Sequence, residues 1–429
     1  MIKNILLVLL LITSLATSAQ RTNSSPYSFF GIGEEFNPVT AEQNAMGGIG
    51  VAFSHYKYLN FTNPAAYADL RYTTYSFGVL NNKLTIDNGS EAQSTNSTSL
   101  SYFALAFPLG SKAGMSFGIQ PISSVGYSLV NETLDGSGGI IERSIFSGEG
   151  GVSRIYTSLG IKIFKKLSIG FEADYSFGNI ENSITNQIAG VSLSTKYKES
   201  TIVRGGSVTV GTQYKKVLKK DLVLSTGATL KMGNDLKVTG DEYLYSLTFT
   251  SVGNEFGRDT ISQSSISGNY KLPLKATLGV GLGEMDKWYV GVEYENQEAI
   301  ETTGFLNTTN APYKYSESNR ISFGGYYLPK INSISSYWHR VTYRAGIRLE
   351  KTGLLVDGSG LNTNFTEVND FGMSFGLGLP LRQLSTVNMG FEFGKRGTTN
   401  NNLIQENYFN FRLSLSLTDT QWFQKRKID

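Results

Sequence analysis

The chain has no cysteine, two histidines, nine prolines and few charges among its 429 residues. Without cysteine there is no disulfide framework, no thiol nucleophile, no Cys-ligated metal centre and no lipidated N-terminal cysteine. His55 and His339 stand alone, without Ser-His-Asp or metal-ligand spacing around them, so neither catalysis nor a metal site is expected and no cofactor is implied. Charged residues make up 17% of the chain against roughly 25% in ordinary soluble domains. Their balance of +3, without basic clusters, gives no electrostatic case for nucleic acid. Long apolar runs are missing too. Ile5 to Leu15 is the longest and falls short of the ~20 residues of a membrane-spanning helix. With Lys3 before it and Thr17-Ser18-Ala19 after it, the run reads as a secretory signal, residues 1–19.

What is abundant is glycine, 47 residues, and Tyr plus Phe, 24 and 25. Strand-favouring aromatics with little proline indicate an extended all-β protein. Leu167, Ile169, Phe171, Ala173, Tyr175 and Phe177 alternate with Ser168, Gly170, Glu172, Asp174, Ser176 and Gly178, and the same period of two recurs through 341–349, 371–379 and 409–417. A soluble sandwich also alternates, so length has to discriminate. Fourteen segments are read at 72–80, 98–108, 113–123, 151–163, 167–179, 201–214, 222–237, 268–282, 288–298, 317–328, 337–351, 368–380, 385–395 and 404–417. Sandwich strands average ~5–6 residues, whereas a tilted strand needs ~9–11 to cross a bilayer. Connections after even-numbered segments are short and those after odd-numbered ones long, among them 124–150, 179–200 and 238–267. That predicts a 14-stranded antiparallel transmembrane β-barrel in an outer membrane, over residues 71–418, with both termini and a 419–429 tail in the periplasm. Trp288, Trp338 and Trp422 fall at one interface, as an aromatic girdle does.

A barrel of that size encloses a lumen that must be filled. Residues 20–70, too apolar for a disordered tail, are expected to plug it. The run Ala45-Met46-Gly47-Gly48-Ile49-Gly50-Val51-Ala52-Phe53, then Asn63-Pro64-Ala65 just before the first strand, resembles the hatch of the FadL family of long-chain fatty-acid transporters. Ser25-Pro26-Tyr27-Ser28 and the closing Trp422-Phe423-Gln424-Lys425-Arg426-Lys427 resemble Bacteroidota branches of that family. The resemblance implies passive uptake of hydrophobic, fatty-acid-like molecules with lateral release into outer-membrane lipid at a kink in the third strand, where Gly118, Gln120 and Pro121 stand. It equally implies relatives such as PorV-like barrels that hold partners in secretion or assembly complexes. Pro121 cannot donate to the ladder, so the wall should either bulge or open there. Glu172, Asp174, Arg344 and Arg348 fall on the polar face and should form luminal ion pairs, with a carboxylate headgroup as the alternative partner for the two arginines.

Overall fold

The computed structural model describes residues 24–250, 253–303, 312–382 and 384–420. The proposed signal peptide, Trp422 and all but the first two residues of the tail lie outside them. Fourteen wall strands follow one another: β1 Thr73–Asp87, β2 Ala92–Leu109, β3 Ala113–Leu134, β4 Ile140–Lys162, β5 Leu167–Ile188, β6 Ser194–Lys219, β7 Leu222–Gly233, β8 Lys275–Glu284, β9 Trp288–Gln297, β10 Ser318–Tyr327, β11 Thr342–Val356, β12 Thr366–Pro380, β13 Thr386–Gly397 and β14 Gln405–Asp419. Each pairs antiparallel with the next, and β14 returns to β1 across fifteen residue pairs. The sheet is closed, so its backbone groups are satisfied without an outer edge, as a bilayer demands.

The alternation sorts side chains in the reverse of a soluble protein. Phe171, Ile155, Val292, Phe323 and Phe393 are about half exposed on the outside, while Ser158, Ser322, Ser374, Glu172 and Asn388 are buried inside. An apolar outer face with a polar interior is the arrangement of a lipid-embedded barrel.

Two expectations are corrected. The segments read as long loops are largely strand: β3 to β6 continue well past the apolar band, and 238–267 is an antiparallel ribbon of Leu236–Phe249 against Glu255–Lys271 that pairs with β6. The buried positions of this extension mix Ile180, Val203, Leu236 and Val238 with Ser183, Thr185, Glu199 and Thr201, so no unbroken hydrophobic period marks these Ser- and Thr-rich strands. The wall is therefore lopsided, with strands of 22 to 26 residues in β3–β6 and 10 in each of β8–β10. Second, Trp338 does not open a strand. It sits in a 3-10 turn, Trp338–Arg340, before β11 begins at Thr342.

Candidate functional site

Residues 24–72 run inside the wall and touch it on every side. Their path is set by glycines on the inner face of the strands. Gly160, Gly170 and Gly211 are directly opposed on β4, β5 and β6, as are Gly291, Gly324 and Gly346 on β9, β10 and β11. A Cβ on Gly170 would stand 2.2 Å from Ala65 N, one on Gly324 2.1 Å from Met46 O, and one on Gly346 2.1 Å from Gly47 N. Main chain of the inner segment thus lies where side chains of the wall would otherwise be. At Gly47 the chain also needs φ of 72°, and its N–H donates to Ser374 Oγ on β12 at 2.9 Å.

Asn63-Pro64-Ala65 is the anchor on the opposite side. Asn63 Oδ1 caps the short 3-10 helix Pro64–Asp69 by accepting from Ala65 N at 3.0 Å, and its Nδ2 donates to Val51 O at 2.7 Å and Thr212 O on β6 at 3.0 Å. One side chain therefore ties helix, inner segment and wall together. Glu293 on β9 accepts from Gly50 N and Val51 N at 2.9 and 2.8 Å, and Glu392 on β13 accepts from Asn44 Nδ2 at 3.3 Å. Toward the short-turn end, Asp69 meets Lys162 at 2.7 Å and Lys215 at 2.5 Å. Burial alone would raise its carboxyl, but the two ammonium groups hold it well below the usual carboxylate range. His55 lies in the same region. Burial pushes its imidazole down to about 4, so at neutral pH it is uncharged and Nε2–H faces Asp286 at 3.3 Å.

The wall has one seam. β2 and β3 are laddered only from Leu109↔Ala113 to Phe103↔Ile119, and the pairing stops before Gln120 and Pro121. On the other flank β3 stays with β4, through a register shift between Pro121 and Ser123. Pro121 therefore marks both the bulge and the end of a ladder. The edge so freed is taken from within: Glu35 pairs with Ser123, Glu34 with Ser124, and Phe36 N–H donates to Ile122 O at 2.8 Å. A cleft of about 560 Å³ opens at the seam, with Phe36, Leu100, Ile119, Pro121 and Val125 on its apolar side. Phe36 and Pro121 also line the inner cavity, so the seam adjoins the lumen.

That cavity is charged. Arg320, Arg348, Arg396 and Arg412 line it with Glu34, Glu35, Glu392 and Glu406. Arg348 meets Glu350, Asp370 and Glu392 at 2.5, 3.4 and 3.2 Å, and Arg396 meets Glu34 at 2.6 Å and Asp370 at 3.2 Å. Arg348 is thereby occupied, whereas Arg344 has no carboxylate within 4 Å among the described residues; it contacts Asn388 at 3.3 Å and lies over the Tyr58 ring at 5.5 Å. The two arginines do not converge as a headgroup pair.

Glu172 and Asp174 are brought together with Gln120 by a residue the sequence reading passed over. Arg154, 1% exposed on β4, meets Glu172 at 3.0 Å and Asp174 at 3.5 Å and donates to Gln120 Oε1 from Nε and Nη2. Its place on the polar face of the 151–163 period was the available signal. Trp288 and Trp338 share the short-turn end with exposed Tyr327, Tyr337 and Tyr343, a denser aromatic zone than the tryptophans alone suggested. β14 ends on this side at Asp419, but residues 25–30 lie at the opposite end, where Ser25 donates to Glu406 and Tyr27 to Ile404 O at 2.5 Å. Among the described residues no group of His, Asp and Glu is arranged to hold a metal ion.

A family model described as BamG matches residues 1–429. No curated protein matches. Among solved structures the chain is similar to the Pseudomonas putida toluene transporter TodX, at 15% identity over 90% of this chain and 99% of that one, with a TM-score of 0.58. It is similar as well to the Ralstonia pickettii toluene transporter TbuX, at 12% identity over 91% and 99%, TM-score 0.56, and to a Pseudomonas aeruginosa FadL homologue, at 12% over 89% and 98%, TM-score 0.58. At these identities what is shared is the fold, that of outer-membrane hydrophobic-compound channels.

Proposed function

Because the chain belongs to the BamG family, we propose that it is a partner-holding barrel of the outer-membrane protein-assembly machinery rather than a conduit for greasy molecules. The observation that carries this reading is the lining of the lumen. A hydrocarbon passing the inner segment would have to displace water and counter-charges from four arginines and four glutamates, and stripping a paired charge costs several kcal/mol. The inner segment is held to the wall by Glu293, Glu392, Asn63 and Asp69 at separate points, which suits a rigid scaffold. In this reading residues 1–19 are removed, residues 20–70 close the lumen, 71–418 form the wall, and the short turns and the 419–429 tail face the periplasm.

Lateral uptake through the wall near Gly118, Gln120 and Pro121 is the second reading, and the seam that opens just past Gly118, at Gln120 and Pro121, favours it. A small amphipathic molecule entering the cleft beside Phe36 would reach the bilayer without crossing the ionic lumen. The test is a mild-detergent purification of the tagged chain beside uptake of labelled fatty acid in a deletion strain. Stoichiometric assembly-machinery subunits with unchanged uptake are expected. A chain that purifies alone, from a strain whose deletion lowers uptake, overturns the scaffold in favour of the channel.

A further inference from the structure

Three neighbouring short turns carry a concentration of charge that the net balance of +3 conceals. The β2–β3 turn contributes Lys112, the β4–β5 turn Lys165 and Lys166, and the end of β6 with its connection to β7 contributes Lys216, Lys219 and Lys220. All six are exposed, and none has a carboxylate within 4 Å among the described residues. Asp221 is the single acid within these turns. The neighbouring Lys162 and Lys215 behave differently, because both reach inward to Asp69.

The turns form one surface. Lys162 N–H donates to Lys112 O at 2.7 Å and Lys215 N–H to Lys166 O at 2.8 Å, which fastens the three side by side. Large apolar side chains stand among the lysines: Phe164 is 67% exposed, Val217 62% and Leu218 48%. Leu218 is the extra residue of a bulge, where the register to β7 shifts between Val217 and Lys219. Phe164 stands in the β4–β5 turn itself, beyond the strands and beside Lys165 and Lys166. Apolar side chains in a ring of ammonium groups have the composition of a protein contact with an apolar centre and a charged rim.

We infer that this Lys- and Phe164-bearing sector of the short-turn rim docks an acidic, folded periplasmic surface of a partner protein. The inference rests on the scaffold reading and names the place where the partner is held. Lysines at the rim would steer encounter and register, and Phe164 with Val217 and Leu218 would supply the desolvated contact.

The experiment places a photo-crosslinking residue at Phe164 or Leu218 of the full chain in cells, with Trp338 on a different part of the rim as control. Adducts to the subunit that co-purifies with the wild type are expected from Phe164 and Leu218, joined beside Asp and Glu side chains, and not from Trp338. Replacing Lys165, Lys166, Lys216 and Lys219 with Glu should cut adduct yield about tenfold, roughly the effect of losing one close charge pair. Lysines in place of the partner's cross-linked acids should restore it. Heat-modifiable mobility on gels shows whether the variant barrel is folded, and Lys→Gln at the same four positions serves if it is not. Adducts to lipid alone, or a yield indifferent to both sets of substitutions, overturn the inference. A wild type that co-purifies with the machinery but cross-links only at Trp338 sinks it while sparing the scaffold. A wild type with no partner sinks both.

Discussion

At the scale of single residues, the largest leverage belongs to side chains that are not there. Gly170 faces the main chain of Ala65 so closely that any Cβ must move one of them. Gly170→Val is expected to cost about 1–3 kcal/mol by overpacking and to release the Asn63–Asp69 region. Amide exchange of residues 63–70 should accelerate while the wall strands keep their protection. Gly136→Ala, in a turn with open space around it, is the matched control and should change nothing. His55 makes the second prediction. Its folded value of about 4 lies below the ordinary value near ~6.5, so its contribution is neutral above pH 6.5. As pH falls toward 4, the unfolded chain takes up a proton that the buried ring refuses, and stability drops by an amount of order 3 kcal/mol. Asp69 has the same sense in a lower pH window. Its lowered carboxyl supports the fold above the ordinary carboxylate value and loses that support only at lower pH. Residues 53–60 should therefore loosen between pH 6.5 and 4 in the wild type, as read by exchange. His55→Gln should flatten that dependence, and an unchanged slope would remove His55 as its origin.

At the scale of elements, β3 is the strand whose two sides differ. Against β4 it continues from Ala113 to Leu134, whereas against β2 it is paired only as far as Ile119, and Glu34 to Phe36 complete its edge. Pro121→Val restores a donor at the break. Extension of the β2–β3 ladder is expected, seen as slower exchange at Ser99 and Ser101. Under the scaffold reading, fatty-acid uptake is the same in this variant as in the wild type. A fall of twofold or more would establish passage through the seam. The extension of β3–β6 with its ribbon is an element of another kind. Lys198–Glu181 and Lys196–Glu255 pair across its water-facing surface. Such exposed pairs contribute little stability, so the extension is held by its continuous ladders.

At the scale of the whole molecule, closure and filling are two solutions to one problem. The fifteen pairs between β14 and β1 remove the last free edge from lipid. A wall of fourteen strands then leaves a lumen that its own side chains cannot fill, and residues 24–72 occupy it, apolar Met46, Ile49 and Phe53 packing with Tyr289 and polar groups elsewhere meeting the charges of the wall. The same closure separates three surfaces: an apolar belt for lipid, a polar extension at one end, and a lysine-rich sector at the other. A channel and a scaffold share the first of these and differ in what the other two contact.

Alternation and segment length alone determined the barrel, because period two with an apolar face of nine residues or more has few other stable outcomes. They also determined the inward direction of Glu172, Asp174, Arg344 and Arg348 and the exceptional standing of Pro121. The tertiary structure alone decided partners. Arg154 joining Gln120 to Glu172, the opposed glycines receiving residues 45–52 and 63–66, and the seam closed by Glu34 to Phe36 all depend on contacts between segments far apart in the chain. A local pattern states which face a side chain takes. Which neighbour it meets there depends on register around a closed sheet, and no window of sequence contains that.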